Sequence, residues 1–94
     1  MQIINNPNIL VSQAAINDLE FIWRDVFYES SKNEADAVYT QLITSFRNIQ
    51  SDFTIGTSME SVRDGYRKLE TADFRVYYRA DRDDVLEVVR VLGK

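Results

Sequence analysis

The strongest constraint on the fold lies in residues 65–94, where apolar and polar side chains alternate in short runs. The clearest run is Phe74-Arg75-Val76-Tyr77-Tyr78-Arg79, and such alternation is typical of a strand with one buried face. The side predicted to cover a core carries Phe74, Val76 and Tyr78. The opposite side carries Arg75, Tyr77 and Arg79. The sequence therefore predicts a sheet with one apolar face and one cationic, aromatic face that suits a phosphate backbone or an acidic partner.

Length and composition limit the chemistry available to this chain. Its 94 residues predict one domain spanning 1–94, and a hydrophobic content of 45% predicts a packed core. The absence of cysteine excludes disulfides and thiolate metal sites, and the absence of histidine removes the usual general base near neutral pH. We therefore expect neither a metal nor another cofactor, and any catalysis would depend on Arg, Lys, Tyr or carboxylate groups.

The distribution of charge and hydropathy predicts the compartment and restricts the partners. The first residues lack the basic start and apolar run of a secretory signal. No segment approaches the roughly 18 to 20 apolar residues of a membrane span, so we expect a cytoplasmic protein without membrane contact. The net charge is −4, which disfavours general nucleic-acid binding. Eight of the 11 Lys and Arg residues nevertheless lie beyond residue 58, so a local basic face is compatible with a specific partner.

Two amphipathic helices are predicted before the strands. Ser12 is a suitable N-cap for a helix over residues 13–29, and Ser31 with Glu34 forms a capping-box pattern that opens a second helix. The apolar stripe of the first helix consists of Ile16, Leu19, Ile22, Trp23, Val26 and Phe27. The stripe of the second consists of Ala35, Val38, Tyr39, Leu42, Phe46 and Ile49. The short connection predicts an antiparallel helical hairpin in which both stripes face one core.

The remaining segments complete an α+β arrangement. Residues 8–11 form an apolar run predicted to be an N-terminal strand, and residues 51–61 around Gly56 are predicted to form a loop. A polar hairpin turn is predicted at Asp81-Arg82-Asp83-Asp84, which lacks the ligand spacing of a calcium loop. The predicted order is strand, helix, helix and then a mostly antiparallel three-stranded sheet, with the hairpin of helices covering the apolar face of that sheet.

The C-terminal third resembles a known family. Its runs are Gly65-Tyr66-Arg67-Lys68-Leu69, Phe74-Arg75-Val76-Tyr77-Tyr78-Arg79 and Val88-Val89-Arg90-Val91-Leu92. In this order they are similar to the progression found in the ParE/RelE superfamily of bacterial toxins from type II toxin–antitoxin systems. The start of the first helix, Ala14-Ala15-Ile16-Asn17-Asp18-Leu19, and the order of elements resemble the same superfamily. The resemblance implies a RelE/ParE-like fold over most of the chain.

The resemblance implies two different activities for the two branches of the superfamily. ParE-like members poison DNA gyrase, whereas RelE-like members cut messenger RNA on the ribosome with Lys, Arg and Tyr side chains. The long helical hairpin predicted here is more similar to the ParE branch. The chain also departs from the RelE pattern by ending at Gly93-Lys94, where those nucleases continue with active-site residues. We therefore expect a non-enzymatic gyrase inhibitor, with an mRNA endoribonuclease and an inactive antitoxin-binding remnant as alternatives.

The resemblance also implies a cognate antitoxin as partner. Antitoxins of this family wrap their toxins with a C-terminal helix and an extended segment, which implies a toxin–antitoxin hetero-oligomer. Such binding requires an exposed apolar groove, and either the uncovered flank of the helical hairpin or a sheet edge is expected to supply it. Acidic residues of the antitoxin would then neutralise the basic sheet face. The target is expected to be DNA gyrase, or the ribosome and mRNA for the alternative activity.

Basic and aromatic side chains of the predicted sheet are the candidate target-binding residues. They are Arg67, Lys68, Arg75, Tyr77, Arg79, Arg90 and Lys94. The resemblance to the superfamily implies that Arg75 matches a position that binds substrate phosphate in RelE-like nucleases. Two structural roles compete with this interpretation: cross-strand pairing of arginines with Glu70, Glu87 or the acidic turn, and packing of the Arg90 stem on the sheet.

No catalytic set is assigned from the sequence. A nuclease also needs a group that accepts the ribose hydroxyl proton, and no pair of residues has a convincing spacing for that role. Trp23 and Tyr39 lie on the helical stripes and are predicted to belong to the core rather than to a recognition surface.

Overall fold

The computed structural model describes residues 8–71, 73–80 and 85–93, and in it two antiparallel helices cover one face of a five-stranded sheet. The helices are α1 (Gln13–Glu29) and α2 (Lys32–Ser51), followed by a short 3-10 helix at Phe53–Ile55. The strands are β1 (Ile9–Val11), β2 (Thr57–Ser58), β3 (Tyr66–Thr71), β4 (Phe74–Ala80) and β5 (Leu86–Gly93). The predicted α+β arrangement is confirmed.

Both helices begin at the residues that the capping patterns predict. The Ser12 hydroxyl accepts a 3.0 Å hydrogen bond from the Ala15 amide, and the Ser31 hydroxyl accepts a 3.1 Å hydrogen bond from the Glu34 amide. Each hydroxyl satisfies one of the amides that a helix start leaves without an intrahelical acceptor. The predicted bounds of the first helix agree with those of α1. Among the described residues, neither helix is long and apolar enough to cross a bilayer.

The sheet extends the predicted three strands with a short strand at each edge. Its order is β1-β5-β4-β3-β2. The three long strands pair antiparallel, whereas β1 pairs parallel with the first half of β5, with Ile9 opposite Leu86 and Val11 opposite Val88. At the other edge β2 pairs antiparallel with β3. Part of the predicted loop over residues 51–61 is therefore ordered as the 3-10 helix and β2.

A β-bulge interrupts the regular alternation of β5. Tyr77 pairs with Arg90, but the next residue, Tyr78, pairs with Val88, so one extra residue of β5 lies between the two pairs. Val88 and Val91 are consequently both buried although they lie three positions apart. Strict alternation would place Arg90 on the same face as Val88, but alternation does not continue through a bulge.

The core lies between the helical hairpin and the apolar sheet face. Its largest fully buried side chains are Tyr78, Phe46, Leu42, Ile49, Val76, Val88 and Val91. Phe74, Val76 and Tyr78 face the helices, as the alternation predicts, with Phe74 half-buried at the margin. Burying a side chain such as Phe46 stabilises the fold by about 1.5–3 kcal/mol relative to an exposed one.

The 3-10 helix is held against the sheet by a buried hydroxyl. Tyr78 donates a 2.8 Å hydrogen bond to the Phe53 carbonyl and accepts a 2.9 Å hydrogen bond from the Gly56 amide. The Phe53 ring also packs edge-on against the Tyr78 ring at 5.3 Å between centroids. The segment after α2 therefore has a fixed path into β2, and a side chain at position 56 has no space to occupy.

We expect Gly56→Ala to destabilise the fold. An added Cβ would lie 2.8 Å from the Lys68 carbonyl oxygen and against the Tyr78 hydroxyl. Such overpacking lowers the free energy of unfolding by about 1–3 kcal/mol. For a domain of this size, each kcal/mol lowers Tm by roughly 4–8 °C. Gly93→Ala is the matched control, because its Cβ would meet no atom within 4 Å. Thermal melts with equal Tm for the two variants would contradict this account of position 56.

Candidate functional site

The surface of the sheet turned away from the helices, here called the outer face, has its arginines paired with carboxylates. Arg79 Nε lies 2.6 Å from Glu87 Oε1, and Arg75 Nε lies 3.5 Å from Glu70 Oε1. Both pairs join residues that are direct cross-strand neighbours. The two arginines of β4 on the outer face therefore lie beside carboxylates, rather than forming the wholly cationic row that the alternation predicts. These contacts confirm cross-strand pairing with Glu70 and Glu87, which the sequence left open as a structural role for Arg75 and Arg79.

Arg67 and Lys68 lie on opposite faces of β3, because they are consecutive residues of a strand. Arg67 pairs with Tyr78 on the side of the helices. Its guanidinium donates to the carbonyls of Gly56 at 2.8 Å and Thr54 at 3.3 Å and lies 5.8 Å from the Phe53 ring centroid. Arg67 thus holds the segment that Tyr78 also holds.

Lys68 and Tyr77 are opposite each other on the outer face. The Lys68 ammonium lies 3.7 Å from Glu70 Oε1, so Lys68 and Arg75 share one carboxylate and this group of three keeps one positive charge. Both Lys68 and Tyr77 are half-buried in the sheet surface. Of the remaining candidates, Lys94 lies outside the described residues, and so does the predicted turn at residues 81–84.

Arg90 connects the sheet to α1 through Asp18. Its Nε and a terminal nitrogen donate to the two oxygens of Asp18 at 2.8 and 2.9 Å, and the same carboxylate accepts a 2.9 Å bond from the Val91 amide. The paired carboxylate raises the pKa of Arg90. Arg90 therefore has a structural contact, but it is an ion pair with α1 rather than the predicted packing on the sheet, and the sequence did not identify the partner because 72 residues separate the two. The Ser12 hydroxyl also donates a 2.7 Å hydrogen bond to the Val89 carbonyl. The start of α1 therefore satisfies a backbone group of β5 at the point where pairing with β1 has ended.

The two aromatic residues predicted to belong to the core are both half-buried. Tyr39 packs against the core, and burial raises its pKa. Trp23 lies farther along the hairpin, where its indole nitrogen donates to Asp36 of α2 at 3.0 Å and its ring stacks on Phe27 at 5.2 Å. The prediction is confirmed for Tyr39, whereas Trp23 joins the two helices outside the central cluster.

A groove of about 280 Å³ lies between α1 and the free end of β5, and we call it the α1 groove. Its apolar lining comes from Phe21, Ile22, Val26, Phe74, Val91 and Leu92. Two carboxylates, Asp18 and Asp25, also line it. Phe21 is 68% exposed, which is a large exposed area for an aromatic side chain beside an apolar groove. The predicted apolar groove therefore exists where the flank of the helical hairpin meets a sheet edge.

A second cavity of about 240 Å³ lies on the outer face, and we call it the outer pocket. Its lining residues are Met59, Val62, Arg63, Tyr66, Tyr77, Val89, Arg90 and Leu92. Two of them, Tyr77 and Arg90, are candidate residues from the sequence. The sequence interpretation missed residues 59–63, because an irregular segment has no periodicity that indicates which surface it joins.

Comparison with known proteins places this architecture in a family. A family model described as the ParE toxin of type II toxin–antitoxin systems, parDE, matches residues 9–94. The chain belongs to the ParE toxin family. Toxin ParE1 from two strains of Mycobacterium tuberculosis, CDC 1551 / Oshkosh and ATCC 25618 / H37Rv, is 30% identical over 83 residues, which cover 88% of this chain and 85% of that protein.

A solved structure has the same fold as this ParE toxin. It is described as the chromosomal ParDE TA system from P. aeruginosa, and its TM-score is 0.74 at 17% identity. The match covers 90% of this chain and 92% of the solved one. The resemblance to the superfamily and the preference for its ParE branch are confirmed.

We expect Asp18→Ala to destabilise this ParE toxin. The change removes the acceptor of the Val91 amide and the partner of Arg90, and losing a hydrogen bond to a charged group costs about 1.5–3 kcal/mol. Urea unfolding would measure the loss as a lower midpoint at unchanged slope. Asp25→Ala is the control, because Asp25 is an exposed carboxylate on the same helix. Equal midpoints for both variants would show that the contact between α1 and β5 contributes nothing to stability.

Proposed function

We propose that this ParE toxin inhibits DNA gyrase by binding it and that a cognate antitoxin holds the toxin inactive. The family supports the toxin class and an antitoxin partner. One observation favours binding over catalysis: the arginines that a nuclease would use already contact other groups of the toxin. Arg67 binds backbone carbonyls, Arg75 and Arg79 pair with carboxylates, and Arg90 binds Asp18.

A nuclease mechanism requires cations that are available for the charge growing on the phosphate oxygens. A guanidinium that lies 2.6 Å from a carboxylate, like that of Arg79, would first have to exchange its partner. The reaction also needs a proton acceptor, which in a chain without histidine would have to be a Lys, Tyr or carboxylate group, and the sequence assigns none to that role. The pairing of Arg75 and Arg79 with carboxylates and the net charge of −4 likewise favour a protein partner over an extended phosphate backbone.

The α1 groove is the surface that best suits the antitoxin. It presents apolar side chains between a helix and a strand, so it fits an apolar segment laid along α1. Asp25 lies at this groove as an exposed carboxylate, which favours an antitoxin segment with a basic residue beside its apolar ones. The proposed complex is a toxin–antitoxin hetero-oligomer in which this contact forms one interface.

We expect the purified toxin to inhibit plasmid supercoiling by DNA gyrase. Inhibition should be accompanied by cleaved plasmid, because a trapped gyrase–DNA complex holds broken strands. The control is the same toxin mixed with the product of the neighbouring antitoxin reading frame, which should restore supercoiling. Unaffected supercoiling, together with rapid loss of translated mRNA in expressing cells, would replace gyrase by the ribosome as the target. Absence of any growth defect would indicate an inactive antitoxin-binding remnant.

We expect Phe21→Asp to weaken antitoxin binding by about tenfold or more, since the change removes an apolar contact and places a charge against the apolar part of the antitoxin segment. Phe21 is 68% exposed, so the fold should tolerate the change. Ile55→Asp is the matched control, because Ile55 is also an exposed apolar residue, at 47%, and lies outside the groove. Titration of labelled toxin with antitoxin measures both affinities. Unchanged affinity for Phe21→Asp would exclude the α1 groove as the antitoxin site.

A further inference from the structure

We propose that the outer pocket is the surface through which this toxin binds its target protein, by receiving an apolar side chain that lies next to a carboxylate. The proposal rests on the proposed function, because it assigns the second surface that a toxin needs besides its antitoxin site. It also changes which residues are expected to contact the target, since the pocket includes Met59, Val62 and Arg63 and not the paired arginines Arg75 and Arg79.

The segment that builds one side of the pocket has a defined backbone structure. The amides of Val62 and Arg63 both donate to the Met59 carbonyl, at 2.9 and 2.7 Å, and the Met59 amide donates to the Tyr66 carbonyl at 2.9 Å. The turn closes at Gly65, whose φ of +77° favours glycine and whose amide donates to Glu60 Oε1 at 2.9 Å. The position of the Val62 side chain is therefore set by a hydrogen-bonded turn.

This turn holds an apolar side chain in solvent beside other apolar groups. Val62 is 77% exposed and Leu92 is 38% exposed, and both line the pocket together with the half-buried residue Met59. Single exposed apolar residues are ordinary on protein surfaces. A group of them that frames a concave pocket with tyrosine walls is instead typical of a binding site.

The charge around the pocket is positive. Its lining contains two arginines and no carboxylate. The Arg63 guanidinium lies 5.1 Å from the Tyr66 ring centroid, and within the described part of the chain it forms no ion pair. The Arg63 guanidinium beside the apolar lining of the outer pocket complements a segment in which a carboxylate follows an apolar or aromatic side chain.

A protein segment fits these observations better than a nucleic acid. The nearby arginines of the same face are paired with Glu70 and Glu87, so a phosphate backbone that crossed the sheet would approach those carboxylates. The Tyr66 ring is already close to two guanidinium groups, since Arg79 lies 6.0 Å from its centroid in addition to Arg63. That ring is therefore a poor platform for an incoming base.

The sign of the charge separates the target from the antitoxin. Asp18 of the α1 groove and Arg90 of the outer pocket pair with each other, so the contrast rests on Asp25 in the groove and Arg63 in the pocket, although both cavities share Leu92. A segment that complements one cavity meets like charge in the other, which disfavours exchange of the two partners. We therefore assign the α1 groove to the antitoxin and the outer pocket to the target.

The test compares Val62→Asp with the control Ile55→Asp in the full chain, by growth inhibition after induction and by co-purification with the antitoxin. We expect Val62→Asp to raise survival by about tenfold or more and to retain antitoxin binding, because an exposed apolar contact to the target is replaced by like charge. Ile55→Asp should keep both properties. Circular dichroism melts should show that both variants fold, as their exposure predicts.

The charge of Arg63 in the outer pocket supplies a second test. Arg63→Glu should lose toxicity, whereas Arg63→Lys should retain most of it, because only the first change reverses the charge that meets the target carboxylate. Full toxicity of both Val62→Asp and Arg63→Glu would overturn the proposal. Loss of antitoxin binding in Val62→Asp would also overturn it, since the pocket would then belong to the antitoxin.

Three further outcomes separate this proposal from others. Saturable binding of a labelled single-stranded RNA that is lost in Arg63→Glu would overturn it in favour of a nucleic-acid site. A wild-type chain without toxicity would overturn the proposed function and this assignment together. A toxic wild type with an equally toxic Val62→Asp would overturn only the assignment of the outer pocket.

Discussion

The carboxylate of Asp18 joins α1 to β5, and residues of this contact line both the α1 groove and the outer pocket. It binds the Arg90 guanidinium through two oxygens and accepts the Val91 amide at the edge of β5 that β1 leaves open. An open strand edge is a site for unwanted pairing, so a side chain that satisfies it protects the fold. The same contact holds α1 beside Val91, which lines the α1 groove together with Leu92. Arg90, on the other side of the contact, lines the outer pocket.

The bulge in β5 gives that contact its geometry. One additional residue shifts the register between Tyr77 and Tyr78, so Val88 and Val91 both enter the core. With a regular strand, one of the two valines would face solvent. The bulge therefore allows one strand, β5, to contribute both valines to the core while Arg90 binds Asp18.

Charge compensation on the outer face changes the functional interpretation of the sheet. A row of arginines on a strand suggests phosphate binding when only the sequence is known. In the folded chain Arg75 and Arg79 have carboxylate neighbours on the adjacent strands, and Arg67 faces the opposite side. The accessible features of this ParE toxin instead include two apolar cavities, one with the carboxylate of Asp25 and the other with the guanidinium of Arg63.

Local patterns in the sequence determined the elements of this protein. The start of each helix follows from Ser12 and Ser31, and the alternation from Phe74 to Arg79 determines which side of β4 is buried, because caps and strand periodicity involve residues only a few positions apart. Only the tertiary structure decided the bulge, the pairing of Asp18 with Arg90 and the contribution of Val62 to a pocket. These features depend on contacts between residues far apart in the chain, and no local preference specifies such contacts before the sheet and the helices have packed together.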